Sequence, residues 1–411
     1  MIEAWVPAIV RVVDRATPVL LACCMAACGA GSSGTGSFLV TDSAGVEVVI
    51  NTAPAWREGE AWTLASQPAL DIGVVEGDSA YQLFRVRDAV RLTDGRIVVA
   101  NGGSYELRYY DPVGAHLKSV GRVGDGPGEF QGLDDLIVLP DDSLLVVDFG
   151  LSRVTLLDGT GALLATYSVP PPFGRFPDGT LVRQEGVGAP LTGATGDGVV
   201  RAEVAVVRYT LADETLDTLV RLPGDEIYRV VEASGGGVGV TGYRRPFGRF
   251  RRSVVHDRWI MSADGSSYEA AVFDLNGRLT RLVRVDRPNR PVTAQDQQNY
   301  RERFLASIRD GRSRSRAERM FDGQAFPAAM PALQNLKVDG EGNLWLEEYQ
   351  AAPEVQPRWA LFDPQGRWLG TIDTPHGLRV TDLGSDYVLG IARDQLDTEH
   401  VRLYRLMKPP T

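Results

Sequence analysis

The chain has 411 residues, with 43 basic and 53 acidic side chains and a formal net charge of −10. That balance favours solubility and argues against broad nucleic-acid binding, which depends on neutralising phosphates with clustered cations. All three cysteines, Cys23, Cys24 and Cys28, fall within the first thirty residues, so the rest of the chain has no disulfide and no thiolate metal site.

From the N-terminus, Arg11 and Arg15 precede an apolar run from Ala16 to Ala27, followed by Cys28, Gly29 and a Gly/Ser-rich tract. The run is too short to span a bilayer. It resembles a bacterial lipoprotein signal peptide, in which a cysteine after a small residue is acylated and becomes the mature N-terminus. The resemblance implies a signal over residues 1–27 and lipidation at Cys28, with Cys23 after LLA as the alternative. Residues 28–37 would form a flexible tether. Acyl chains, at about 0.8 kcal/mol per buried CH₂, would hold the protein to a membrane. The folded part, residues 38–411, is then expected outside the cytoplasm, in the periplasm or at the cell surface, as a monomer.

Beyond the tether a short element recurs, in which an apolar strand ends in Asp, two residues follow, and Gly opens the next strand. It occurs at Asp42 to Gly45, Asp111 to Gly114, Asp158 to Gly161, Asp274 to Gly277 and Asp363 to Gly366. Asp caps such a turn through its side chain, and Gly supplies the positive φ of a tight hairpin. The last four are each preceded, some fifteen to twenty residues earlier, by a polar turn leading into a β-rich run, as in TDGRIVVA (Thr93 to Ala100) and PDDSLLVVD (Pro140 to Asp148). A repeat near forty residues signals a propeller or solenoid. Blades are expected at about 83–122, 131–169, 174–221, 249–287, 333–373 and 378–406. The last shows three strands, and its missing outer strand is assigned to VEVVI (Val46 to Ile50), paired with Val401 to Leu406. Such closure removes exposed sheet edges. The fold class is therefore all-β, a six-bladed β-propeller of four-stranded antiparallel blades closed by an N-terminal outer strand.

GRVGDGPGEF (Gly121 to Phe130), then LPDDSLLVVD and SRVTLLD, resembles the NHL-repeat type of propeller, and the whole arrangement is similar to the bacterial six-bladed β-propeller lipoproteins. That resemblance is specific for fold and nearly silent on activity, since propellers host hydrolases, lyases and pure binders. If Val46 to Ile50 were the outer strand of the sixth blade, the anchor would leave from the face opposite the long insertions.

Between blades four and five, PVTAQDQQNYRERFLASIRDGRSRSRAERMFDG (Pro291 to Gly323) predicts a helical insertion over about 293–322. Thr293 is the N-cap with Asp296 three residues on, and Tyr300, Phe304 and Ile308 lie on one face. A second insertion, GYRRPFGRFRR (Gly242 to Arg252), enters blade four. The two bring an unusual arginine density to one face. Arg244, Arg245, Arg249, Arg301 and Arg303 are candidate ligand-binding residues for a protein or anionic partner, because the guanidinium fork matches carboxylate and phosphate. A solvated helix face with local carboxylate partners is the competing account.

No catalytic residues are assigned, since no nucleophile elbow, zinc-protease motif or calcium loop is present. His376 and His400 in blade-six loops, near Asp394, Asp397 and Glu399, are the candidates for a divalent-metal site. They define the alternative function, a metal-assisted hydrolase or lyase at the channel mouth. The leading expectation is a binding or scaffold module with no resident cofactor.

Overall fold

The computed structural model describes residues 38–187, 196–212, 215–234, 237–323, 326–352 and 355–409. The signal segment, the tether, Cys23 and Cys28 lie outside the described residues. The Asp-x-x-Gly turns form as their chemistry dictates. In the four within the repeats, an Asp Oδ1 accepts two backbone N–H groups of its own turn, such as Val113 and Ala115 on Asp111. The closing glycines Gly45, Gly114, Gly161, Gly277 and Gly366 all have φ between +76° and +90°.

Among the described residues the strands build six sheets. Within each repeat the consecutive strands are antiparallel neighbours. In chain order the inner strands are Val86–Arg91, Leu133–Val138, Gly174–Arg175, Arg252–His256, Leu333–Val338 and Arg379–Leu383. Sheets one, two and five have four strands. Sheet three has five, because Thr215–Ser234 runs far beyond the expected end at residue 221 and pairs with Gly237–Arg244. Pro223 and Gly224 read as a turn in sequence. The strand instead passes them at a register shift between Arg201 and Glu203, a place where a ladder tolerates Pro.

The sheets pack on one another in order, each junction filled by its own apolar cluster. Tyr109 meets Leu136 between sheets one and two, Leu145 meets Tyr209 next, then Val206 meets Ile260, and Val283 meets Leu336. Trp345 packs with Tyr404 between sheets five and six, and Leu389 with Val99 between six and one. Polar contacts stitch the last junction: Glu399 Oε2 accepts Val86 N at 2.7 Å and Asp382 Oδ2 accepts Arg91 N at 3.0 Å.

The N-terminal segment corrects the expected closure. Val46–Asn51 pairs in parallel with Leu279–Val285, the outer strand of sheet four, and not with Val401 to Leu406. The place on sheet six is taken by Leu70–Ile72 and Thr63–Leu64, antiparallel to Glu399–Met407. A six-residue Val-rich run carries a strong strand signal, and a three-residue strand carries almost none, so pattern alone chose the wrong partner. Asn51 explains what the Val-rich strand does. Fully buried, it donates to Arg284 O at 3.1 Å and Gly366 O at 3.0 Å and accepts Trp368 N at 2.8 Å, joining sheets four and five. Ala55 and Trp56 then bond the outer strand of sheet five. The segment thus straps the outer edges of sheets four, five and six before entering sheet one.

A further strand, Phe38–Ser43, pairs antiparallel with Val46–Asn51 and sets Phe38 against Asn51, which itself pairs with Val285. The described chain therefore begins at the end of sheet four from which the helical insertion leaves. The expected pairing would have set this start at the opposite end.

The insertion forms α1 (Ala294–Ser307) and α2 (Gly311–Gly323). Thr293 and Asp296 make the reciprocal capping box. Tyr300, Phe304 and Ile308 pack with Met320 and Phe321 of α2 and with Tyr228 and Val230 of the projecting part of sheet three.

Replacing Asn51 with Ala removes one side chain that satisfies three backbone groups. We expect a loss of at least about 2 kcal/mol in urea unfolding, whereas Asp42→Ala, at an exposed turn, should cost well under half as much.

Candidate functional site

The inner strands of all six sheets enclose an axial cavity of about 730 Å³. At the end where loops enter those strands it opens into two lobes of about 600 and 820 Å³. Arg379, the first residue of the sixth inner strand, lines the cavity and both lobes. One of its Nη atoms donates to Val86 O at 3.0 Å and Arg87 O at 2.7 Å.

Three guanidiniums, Arg244, Arg252 and Arg379, face the first lobe together with Phe247, Tyr300 and Tyr349. Arg244 lies 4.0 Å above the Phe250 ring, and Arg252 Nη1 donates to Arg251 O at 3.0 Å. No described carboxylate comes within 4.0 Å of any of the three. Burial, then the nearby Arg244, hold the Arg252 guanidinium below its usual value, with Asp225 and Glu347 opposing at longer range. The Tyr349 hydroxyl is pushed up to about 12, mainly by burial. The second lobe adds Arg85 and Arg87, also without a described carboxylate within that range.

Phe247 sits in this wall with φ +52° and 2% exposure. A bulky residue in the left-handed region is strained by about 1–3 kcal/mol and persists only where its surroundings fix it. Here the rings of Tyr300, Phe326 and Tyr349 pack around it at centroid distances of 5.2, 5.8 and 6.4 Å.

The other arginine candidates are placed differently. Arg245 and Arg249 both pair with the buried Glu226, whose carboxyl stays below its usual range because these hydrogen bonds and charges outweigh burial. Arg245 lines the first lobe as well. Arg301 pairs with Asp322 at 3.1 Å, and Arg303 donates to Ala351 O at 2.9 Å. Sequence reasoning missed Arg379, Arg85 and Arg87. Arg379 stands alone at the start of its inner strand and Arg85 and Arg87 flank the first residue of theirs, and reading the first positions of every repeat together would have found them.

The two histidines are engaged separately. His376 lines the second lobe with Glu399. His400 Nδ1 lies 2.7 Å from Asp71 Oδ1, on the short strand that completes sheet six, and Nε2 lies 3.5 Å from Asp394 Oδ2. Among the described residues no group of three His, Cys, Asp or Glu side chains is arranged to hold a metal ion, and no described helix is long and apolar enough to cross a membrane.

Deeper in the cavity, Asp88 accepts Ala89 N and Leu136 N, both at 2.9 Å. Burial, reinforced by the adjacent Asp135 and opposed by Lys337, raises its carboxyl to about 7. A carboxyl raised in the folded state binds protons there that the unfolded chain has released, so its contribution to stability falls as pH rises from about 4 to 7. The Asp88→Asn variant should therefore gain melting temperature relative to the parent across that window, read by thermal melts at matched ionic strength. Parallel curves would mean the carboxyl is unperturbed.

The chain matches no protein-family model and no curated protein. Solved structures share its fold. A Bacteroides fragilis protein described as exported is 10% identical, with a TM-score of 0.50 over 88% of this chain and 100% of its own. A DUF4221 member from Bacteroides vulgatus is also 10% identical, with a TM-score of 0.50 over 85% of this chain and 99% of its own. Virginiamycin B lyase from Staphylococcus aureus covers 84% of this chain and 100% of its own, at 9% identity and a TM-score of 0.40, too distant to carry an argument. At such identities the likeness establishes an all-β fold of the propeller kind and nothing of its chemistry.

Proposed function

We propose that this chain is an extracytoplasmic binding module, a closed six-bladed propeller of NHL-like repeats held to a membrane through a lipidated Cys28, whose axial mouth takes an anionic ligand. The ligand is a free polyanion or an acidic segment of a partner protein. The observation that carries this reading is the convergence of Arg244, Arg252 and Arg379, with no described carboxylate within 4.0 Å of any of them, on one aromatic-walled lobe of a protein whose net charge is −10.

Guanidiniums gathered with no carboxylate paired to them repel one another, an effect that Glu347 on the same lobe offsets only in part, and the repulsion is relieved when an anion enters. Their planar forks suit carboxylate or phosphate, and a partly desolvated site makes each contact stronger than in water. Arg245, Arg249 and Arg301 would have to give up carboxylates they already hold, so their part is to shape the rim. Six sheets, with a cluster at every junction including the last to the first, support the closed ring. The exported description of a structural neighbour and the lipoprotein-like leader support the address. A tether from Cys28 would join the fold at the mouth end, where Phe38 begins.

Calorimetric titration with citrate, pyrophosphate and a short polyglutamate peptide tests the site. At least one should bind saturably and weaken with salt. The double substitution Arg244→Ala with Arg252→Ala should cost tenfold or more in affinity, while Arg301→Ala leaves it unchanged. Absence of saturable binding by all three probes, or equal loss in both variants, would overturn the reading. Separately, Cys28→Ser should move the protein from the membrane fraction to the soluble fraction, and unaltered fractionation would rule out Cys28 as the anchor.

A further inference from the structure

We infer that the cleft between sheets four and five, at the far end of their inner strands from the mouth, is a second binding site, for a small organic cation with an aromatic or branched apolar body. Arg252 begins the fourth inner strand at the mouth, and His256 ends it beside this cleft. The cleft encloses about 350 Å³, within the range of small-molecule sites.

The residue two before the Asp of each turn within the repeats, Tyr109, Leu156, Val272 and Leu361 in turn, sets how far that junction is filled, and Val272 is the smallest of the four. In sheet one Tyr109 stands two residues before the Asp of the turn and pairs with Val98. Its ring fills the junction with sheet two, reaching within 2.8 Å of where a Cβ on Gly161 would lie. At the same register in sheet four stands Val272, paired with Met261. The counterpart of Gly161 in the next sheet is Gly366, where Val283 comes within 2.8 Å of a would-be Cβ, and beside it the smaller Val272 leaves part of the junction open. Trp259, Met261, Val272, Leu344 and Phe362 form the apolar wall.

The polar lining sets the charge of the occupant. Glu47, Asp257, Glu341 and Asp363 face Arg281 as the one guanidinium among the lining groups. Arg281 is already paired with Glu47 and donates to Pro364 O at 2.7 Å. The basic neighbours of Glu341, Asp257 and Asp363, namely Lys408, Arg258 and Arg367, lie outside the lining, to which His256 also belongs. A cation against a Trp face gains further from the ring quadrupole, more so when partly desolvated. The mouth selects anions and this cleft the opposite sign, so the two sites do not compete.

The test uses the purified full-length chain with 2-naphthylmethylammonium as probe and 2-naphthoate, with the same ring system and the opposite charge, as its control. Tryptophan fluorescence and calorimetry should both report saturable binding of the ammonium, with the carboxylate at least tenfold weaker. Val272→Tyr introduces the bulkier side chain found in sheet one and should reduce ammonium affinity at least tenfold. If Val272→Tyr melts far below the parent, the rim pair Asp257→Asn with Glu341→Gln decides instead, and should weaken the ammonium several-fold without changing the carboxylate. Arg244→Ala with Arg252→Ala should leave ammonium binding intact, which separates this site from the mouth. Lack of saturable ammonium binding, equal affinity for both probes, or full affinity in a folded Val272→Tyr protein would overturn the assignment.

Discussion

The pairing of Leu70–Ile72 with Val401, Arg402 and Leu403 joins the two ends of the described chain, and the remaining architecture depends on it. Without it the outer edge of sheet six would present unpaired backbone groups to solvent, the edge that promotes aggregation. Sheet one would also lose cover, since Leu70 and Ile72 belong to the cluster that packs Leu389 against Val99. The strap before this strand extends the same logic. By bonding sheets four, five and six in turn, a single extended segment ties half of the sheets together before the repeats begin. Because these contacts are distant in sequence, they form only after large loops close, a cost that grows slowly with loop length and is met once.

The electrostatic pattern follows from the same geometry. Where a meander leaves backbone N–H groups unpaired at a junction, a carboxylate from the neighbouring sheet accepts them, as Asp88 does for Leu136, Asp382 for Arg91 and Glu399 for Val86. Those carboxylates are fixed by backbone and offer little to mobile cations. At the mouth the inner strands begin, and their first side chains project past the last ladder bond. Arginines there find aromatic walls and each other, with the carboxylates of Asp134 and Glu347, both raised by burial, nearby but not paired with them.

The repeat was legible because Asp-x-x-Gly turns combine two residue-specific demands, a side-chain acceptor and a positive φ, that few alternatives meet. The capping box at Thr293 was legible for the same reason. The closing strand was not, since Leu70–Ile72 has one alternation of polarity and no turn signal of its own. The extent of sheet three was hidden by Pro223, whose meaning depends on a bulge opposite it. In the site, a dense arginine run drew attention to Arg245, Arg249 and Arg301, which are absorbed by Glu226 and Asp322. Arg379 is isolated in sequence, and only the packing of the sheets brings it to the same lobe as Arg244 and Arg252. Charge density along a chain reports composition, whereas a site depends on which charges remain without partners after folding.

The helical insertion and the projecting hairpin of sheet three explain why this end of the ring can be specialised without disturbing the repeats. They share an apolar cluster of their own, separate from the junction clusters. Tyr300 on α1 serves both, packing on Phe304 and Phe321 within that cluster and presenting an edge to Phe247 at the mouth. The strained backbone of Phe247 is thereby held between the helical insertion, through Tyr300, and sheet five, through Tyr349. A wall built in this way changes by substitution in one insertion, while the turns, junction clusters and closing strand stay fixed. Function then varies at loops carried on a rigid scaffold, and the strain at Phe247 marks where the scaffold ends and the adapted surface begins.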